Sequence, residues 1–300
     1  MIKHYLKVAF RNLIKYKTQS LVSIIGLAVG FTCFALSVLW IRYEMTYDNF
    51  HEGADRIYLV RAHYANEPGT SKFTPYPLMK YLQDKMPEIE AVTAFTAHYV
   101  KFRMEDTEQE IGMIAADSVF MNFFDIQLLK GTVNFLKCDG QEVAITKEFA
   151  KRLFSKEEDA LGKEVEVGRR VCKIGAIVSG WSNHSNIPYN ILAPARHSPR
   201  WGSSNEQLFI RVRERTDIDA FRTKMSTVCI NDIEKESELS DLLITRMSAL
   251  RYSDYVDKAD VVISFSYIFY FSLAGGLVII CSLFNLSLIH ISEPTRLRCI

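Results

Sequence analysis

The sequence lacks an excess of charge of either sign: 36 lysines and arginines face 35 aspartates and glutamates, which leaves a net charge of +1 over 300 residues. A protein that binds nucleic acid through its phosphates needs a basic surface. Here the charges are mixed along most of the chain, and the only basic cluster adjoins an apolar run. We therefore expect no nucleic-acid partner.

The sequence also lacks the short motifs that carry chemistry. It has no HExxH, no CxxC, no GxSxG elbow and no Walker A sequence. Cys138, Cys172 and Cys229 lie in the polar part of the chain without close spacing, so one disulfide is possible there but its pairing is open. We expect no enzyme, with no catalytic, cofactor-binding or metal-binding residues in this chain.

Two long apolar runs without charge are present, at residues 21–41 and 261–285. About 20 apolar residues in a helix span the roughly 30 Å hydrocarbon core of a bilayer. The runs bracket a polar segment, residues 42–260. The layout predicts an integral membrane protein with one large domain outside the membrane, between two transmembrane helices.

The charge on either side of the first run predicts its orientation. Residues 1–20 form an amphipathic, basic segment whose cations precede the run: Lys3, Lys7, Arg11, Lys15 and Lys17. Basic flanks stay in the cytoplasm, and a basic amphipathic helix lies on anionic membrane lipid. We expect a cytoplasmic N-terminus and a periplasmic domain in the inner membrane of a bacterium. A cleaved signal peptide is disfavoured, because the run is too long and no small-x-small site follows it.

Within the first run, Gly26 and Gly30 form a GxxxG pattern. Glycines four apart on a helix leave a flat strip that another helix can approach closely. We expect helix packing at these two residues.

The polar segment alternates strand and helix patterns, which predicts an α+β fold for the extracytoplasmic domain. The predicted strands are 56–64, 91–102, 142–146, 165–167, 171–178, 207–213 and 242–247, and the predicted helices are 74–86, 119–124, 147–154 and 217–234.

Acidic and basic side chains gather just after the first run, at residues 48–56. Asp48, Glu52 and Asp55, together with His51 and Arg56, suggest a metal or catalytic cluster, but their spacing matches no ligand pattern. The favoured alternative is a loop that anchors the base of the domain through ion pairs and through buried Tyr47, Phe50 and Tyr58.

Four ordered segments carry a family resemblance. They are the stretch from RNL at 11–13 to SLVSIIGLAVG at 20–30; YDNFH at 47–51 with DRIYLV at 55–60; ADSVF at 116–120 with FF at 123–124 and LLKG at 128–131; and VAITKEFAKRLF at 143–154 with LGK at 161–163. Together they resemble MacB/FtsX-type ABC transporter permeases. The signature residues are Tyr47, Asp48, Phe50, His51, Asp55, Arg56, Ile57 and Tyr58.

The resemblance implies a permease subunit with a MacB-like periplasmic core domain and further membrane helices beyond the second. Such subunits work by mechanotransmission, so ATP would be bound by a separate ABC ATPase. The implied partners are that ATPase, a second copy or a paralogous permease, and a periplasmic adaptor. Efflux of a peptide or antimicrobial compound, lipoprotein release and control of a cell-wall hydrolase are all compatible with it.

A two-span receptor or sensor with a periplasmic ligand-binding domain is the alternative. The chain beyond the second apolar run distinguishes the two classes, because a permease continues into further membrane helices and a receptor into a signalling helix and kinase. Residues 286–300, LSLIHISEPTRLRCI, resemble translated sequencing adapter, so we expect this tail to be non-native and the chain to be a fragment whose true sequence after Asn285 differs.

Overall fold

The computed structural model describes residues 11, 14–15, 17–65, 68–105, 107–137, 141–181, 184–228, 239–252 and 265–291. The chain divides into two compact units. One consists of residues 1–46 with 263–300, and the other is the domain formed by residues 47–262.

In the described part of the first unit lie the helices α1 (Lys17–Met45) and α6 (Phe265–Ile291). A Cβ on Gly30 would lie 2.9 Å from Cγ1 of Val278, and one on Gly275 would lie 3.2 Å from Cα of Phe34. The Ser37 hydroxyl donates a hydrogen bond to the Phe271 carbonyl oxygen at 3.4 Å. Residues 30, 34 and 37 of α1 thus meet residues 278, 275 and 271 of α6 in turn. The residue numbers rise in one helix as they fall in the other, so the two helices are antiparallel.

Of the described residues, Ser20–Met45 form a helix long and apolar enough to cross a membrane. The apolar stretch within α6, Phe269–Cys281, is shorter. Both helices extend beyond the predicted spans: α1 begins before residue 21 and ends after residue 41, and α6 continues past Asn285. Residues 261–264 and most of residues 1–20 lie outside the described part, as do residues 292–300 of the predicted tail.

The domain contains strands and short helices in mixed order. The strands are β1 (Ile57–Tyr64), β2 (Thr70–Ser71), β3 (Thr74–Pro75), β4 (Ile89–Met104), β5 (Thr107–Ala116), β6 (Leu128–Gly131), β7 (Glu142–Thr146), β8 (Glu164–Val167), β9 (Arg170–Val178), β10 (Ile191–Pro194), β11 (Ser204–Val212) and β12 (Leu239–Arg246). The helices are α2 (Pro77–Lys85), α3 (Ser118–Phe123), α4 (Lys147–Leu153) and α5 (Ile218–Ser226). The predicted mixed α/β domain is confirmed.

One hydrogen-bonded path runs through the sheet in the order β12-β1-β11-β4-β5-β10-β7-β9-β6. The pairs β5–β10 and β7–β9 are parallel, and the other neighbours on the path are antiparallel. Strand β4 connects the two halves, because its first part pairs with β11 and its second part pairs with β5.

The core follows the same division. One apolar cluster lies around β1, β11, α2 and α5, and another lies around β7, β9 and α4. The central cluster contains the aromatic rings of Phe95, Phe120, Phe124 and Phe209. Burial of this apolar surface is the main force that holds the halves together.

Most predicted elements occur with ends displaced by a few residues. The exception is the predicted helix 74–86, because Thr74 and Pro75 form β3 against β11 and α2 begins only at Pro77. Proline is tolerated in the first turn of a helix but not within it, so Pro77, the second of the two prolines, marks the start of α2. The predicted helix 217–234 ends at Ser226, and residues 229–234 lie outside the described part.

Candidate functional site

The first residues of the domain turn back sharply after α1. Asp48 lies in this turn with φ +57°, a left-handed conformation that aspartate and asparagine adopt more readily than most residues. Its backbone N–H donates to the His184 carbonyl at 3.2 Å, and its carbonyl accepts from His51 N–H at 3.4 Å. The turn is therefore attached to the segment that follows β9.

The Asp48 side chain is fully buried. Its carboxylate accepts from the backbone N–H of Asn186 at 3.1 Å and from the Asn186 side-chain amide at 2.6 Å. Burial raises the pKa of Asp48 above its usual value, and hydrogen bonds from Ser185 and Asn186 act in the opposite direction. Because its lone pairs face these donors, the carboxylate serves as a structural acceptor.

His51 lies among aromatic rings. Its ring centroid is 4.8 Å from that of Trp181 and 5.1 Å from that of Phe124. Burial lowers the pKa of His51 to about 4, and the nearby Arg211 guanidinium contributes in the same direction. His51 is therefore a neutral packing residue at pH 7.

Tyr47 attaches the turn to the end of the domain. Its ring lies 3.9 Å from the His184 ring, and the Arg251 guanidinium lies 4.1 Å above it. Arg251 belongs to a 3₁₀ turn, Met247–Tyr252, that follows β12. We name Tyr47, Asp48, His51, His184, Asn186 and Arg251 the signature cluster.

Four further signature residues lie around the start of β1: Asp55 and Arg56 directly before it, and Ile57 and Tyr58 at its first two positions. Arg56 forms an ion pair with Glu90 at 2.6 Å and donates to the Val212 carbonyl at 3.1 Å. Ile57 and Tyr58 are buried in β1, and Asp55 is exposed. The expectation that Phe50 is buried is wrong: its side chain is 44 % exposed, and its ring lies 4.3 Å from the His51 ring.

The arrangement offers structural rather than chemical groups. Among the described residues, no group of three or more His, Cys, Asp or Glu side chains could hold a metal ion. Tyr47 and Tyr58 are buried as the anchoring hypothesis expects. The cluster instead joins the point where the chain leaves α1 to two distant segments of the domain.

Sequence reasoning did not identify Asn186, Trp181 or Arg251 as partners of the turn. They lie more than 120 residues away from it along the chain. The only sequence signal is the polar, aromatic stretch after β9, and such a stretch is typical of any loop. Two other histidines pack against tyrosine rings: His184 lies tilted against Tyr47, and His197 stacks on Tyr76.

Gly26 and Gly30 lie in α1. Gly30 is buried against α6, where a Cβ would also lie 3.3 Å from the backbone nitrogen of Ile279. Gly26 is half-buried. Cys172 is buried in the domain core, and Cys138 and Cys229 lie outside the described residues, so disulfide pairing stays a prediction.

A family model described as "MacB-like periplasmic core domain" matches residues 20–228. The chain belongs to this family. The resemblance inferred from four sequence segments is therefore confirmed, and residues 20–228 contain a MacB-like periplasmic core domain. The comparison with curated proteins gives no match.

Solved structures with a similar fold include a domain described as part of a permease protein from Porphyromonas gingivalis. It has 20 % sequence identity and a TM-score of 0.52, with 65 % of this chain and 92 % of that chain covered. The extracellular domain of the noncanonic ABC-type transporter YknZ from Gram-positive bacteria has 14 % identity and a TM-score of 0.48, with coverages of 63 % and 99 %. The periplasmic region of MacB from Actinobacillus actinomycetemcomitans has 12 % identity and a TM-score of 0.46, with coverages of 66 % and 92 %.

Proposed function

We propose that this chain is a non-catalytic permease subunit of a mechanotransmission ABC-type transporter in the inner membrane. A separate ATPase binds ATP on the cytoplasmic side, and the resulting motion of the membrane helices is transmitted to the periplasmic domain. The functional complex contains two permease copies or paralogues. Efflux and lipoprotein release are the outputs that this architecture suits.

The observation that carries the proposal is the attachment of Asp48. The domain begins at Tyr47, directly after α1 ends at Met45. Within two residues the chain is held by the buried Asp48–Asn186 hydrogen bonds and by the Arg251–Tyr47 contact. A force applied along the chain at this point would act on the domain rather than on a slack linker. A flexible linker would absorb the same displacement.

The test uses the permease expressed from its gene, with the native sequence after Asn285, in nanodiscs together with the ABC ATPase encoded beside that gene. Spin labels on Val119→Cys and Tyr267→Cys, both at exposed positions, report the distance between domain and membrane helix. The native cysteines are replaced in this background. We expect vanadate trapping of ATP to change the distance distribution.

Asp48→Ala should preserve ATP hydrolysis but reduce this change, because it removes the acceptor for Asn186 and places alanine at a left-handed φ. Asp55→Ala, at an exposed position of the same loop, is the matched control and should behave as the parent. Asp48→Asn keeps an acceptor and tolerates the conformation, so it separates loss of coupling from loss of folding.

A chain that forms no complex with the ATPase, or a distance that ignores nucleotide, would contradict the proposal. A distance that responds to a periplasmic ligand but never to nucleotide would instead favour the receptor alternative.

A further inference from the structure

A cavity of about 240 Å³ lies in the domain beyond the ends of β7 and β9. These strands are parallel, so their carboxyl ends meet at one edge of the sheet. Ligands of parallel sheets commonly bind at such an edge. The side chains that line the cavity include Thr146, Glu148, Arg152, Trp181, Tyr189 and Asn190.

The cavity carries one charge of each sign. Glu148 and Arg152 lie one turn apart on α4, and both are exposed. In the described part of the chain, neither lies within ion-pair distance of an opposite charge, and Arg152 instead covers the Phe149 ring at 5.0 Å. Other charges on neighbouring elements are paired, such as Lys130 with Glu158 and Lys151 with Glu157.

The Glu148 carboxylate lies beside Gly180. An ideal Cβ on Gly180 would lie 2.5 Å from Oε2 of Glu148, closer than any normal contact. The Glu148 carboxylate therefore occupies space that a side chain at residue 180 would fill. Both residues line the cavity.

Aromatic and polar groups complete the wall. The Tyr189 hydroxyl donates to the Ser179 carbonyl at 2.9 Å, and the Trp181 indole N–H donates to the Ile187 carbonyl at 2.9 Å. Both rings are thus fixed, and their centroids are 4.6 Å apart. Burial raises the pKa of Tyr189 far above its usual value, so its hydroxyl stays protonated.

We propose that this cavity binds a small zwitterion, of the size of an amino acid or dipeptide. Arg152 takes the carboxylate, Glu148 takes the ammonium group, and the Trp181 and Tyr189 rings contact the apolar part. A ligand without a carboxylate would leave the Arg152 guanidinium without an opposite charge. A ligand without an ammonium group would leave the Glu148 carboxylate without one. The volume is below the range of about 300–1,000 Å³ that drug-sized ligands occupy, which restricts the ligand to a small one.

Trp181 also contacts His51 of the signature cluster. A ligand in the cavity therefore touches the aromatic group that packs beneath the turn at Asp48. The inference goes beyond the proposed function and does not depend on it, because ligand binding can be measured whether or not the chain works with an ATPase.

The experiment is calorimetric titration of the full chain in nanodiscs with three matched probes. Alanyl-alanine carries both charges, N-acetyl-alanyl-alanine carries only the carboxylate, and alanyl-alanine amide carries only the ammonium group. Free alanine distinguishes amino-acid from dipeptide size. We expect the zwitterions to bind and each blocked form to bind roughly tenfold more weakly, since each loses one charge-assisted contact.

Charge-neutral variants assign the two ends. Arg152→Gln should abolish the preference for a free carboxylate, and Glu148→Gln should abolish the preference for a free ammonium group. Gly180→Ala should weaken both zwitterions by displacing the carboxylate. Lys151→Gln, an exposed neighbour on the same helix, is the control and should leave all affinities unchanged.

Equal binding of all the probes, or no binding of alanine and alanyl-alanine at millimolar concentration, would overturn the proposal. It would also fail if Arg152→Gln and Glu148→Gln bound the probes as the parent does, because binding would then depend on neither charge. Both positions are exposed, so these substitutions are expected to leave the fold intact.

Discussion

At the residue scale, Asp48 and His51 respond to acid in opposite directions. The pKa of buried His51 is lowered to about 4, so the folded domain favours its neutral form. Its contribution to stability is present above the ordinary histidine pKa of about 6.5 and is lost as pH falls toward 4. The pKa of Asp48 is raised, so protonation of its carboxyl relieves part of the cost of burying a charge.

We predict that His51→Phe reduces the acid sensitivity of the domain. Phenylalanine keeps the ring contacts with Trp181 and Phe124 but cannot be protonated. The titration of His51 should account for at most about 3 kcal/mol of stability between pH 6.5 and pH 4. Melting of the full chain at pH 7 and pH 4.5 provides the measurement.

His63→Phe, at a half-buried position of β1, is the matched control and should keep the parent's loss of melting temperature. If His51→Phe loses as much stability in acid as the parent does, then His51 is not the group that confers acid sensitivity.

At the scale of elements, the helix pair and strand β4 differ in what sequence reveals. The GxxxG pattern predicts close packing, but a pattern does not name the helix that approaches. In the structure Gly30 lies against Val278 of α6.

Strand β4 is predicted as 91–102 and runs from Ile89 to Met104, with buried Phe95 in one half and Tyr99, 66 % exposed, in the other. Its length depends on pairing with both β11 and β5, which no local pattern records.

We predict that Gly30→Leu separates α1 from α6. The Cβ of residue 30 would press on a flexible Val278 methyl, so Gly30→Ala should be mild, whereas the larger leucine must also displace the backbone at Ile279. Disulfide formation between Ser37→Cys and Phe271→Cys, with Cys33 and Cys281 replaced by alanine, measures the proximity of the two helices.

The cross-linking yield should fall several-fold in Gly30→Leu and remain at the parent's level in Ala28→Leu, since Ala28 is exposed on α1. An unchanged yield in Gly30→Leu would show that α1 and α6 do not depend on a small residue at position 30.

At the scale of the whole molecule, the predicted topology places the helices in the membrane and the domain in water. We predict that Tyr99→Cys is labelled by a membrane-impermeant maleimide in spheroplasts, because the basic residues before α1 are expected to keep the N-terminus in the cytoplasm. Lys3→Cys should be labelled only after the membrane is permeabilised. Each variant is made in a background without the native cysteines. The reverse pattern of labelling would invert the predicted topology.

Much of the domain was accessible from local patterns. Strand β7 occupies the predicted residues 142–146, and the turn at Gly168 joins β8 to β9, which overlap the predicted strands 165–167 and 171–178. Asp117 caps α3 by accepting from the Phe120 N–H at 3.0 Å, as its position before the helix indicates. These features depend on neighbours a few residues apart, which is why the sequence alone predicts them.

The composition and order of the sequence determined the length and apolar character of α1, the mixed α/β class and the family, because apolar length, periodicity and ordered motifs are properties of contiguous residues. Only the tertiary structure decided the partners of those residues. Asp48 meets Asn186, Glu148 meets Gly180, and His197 lies between Asp117 and Glu206, all across sheet and loop connections. Pairing over such distances along the chain is set by how the strands assemble and bury the core, so no local pattern contains it.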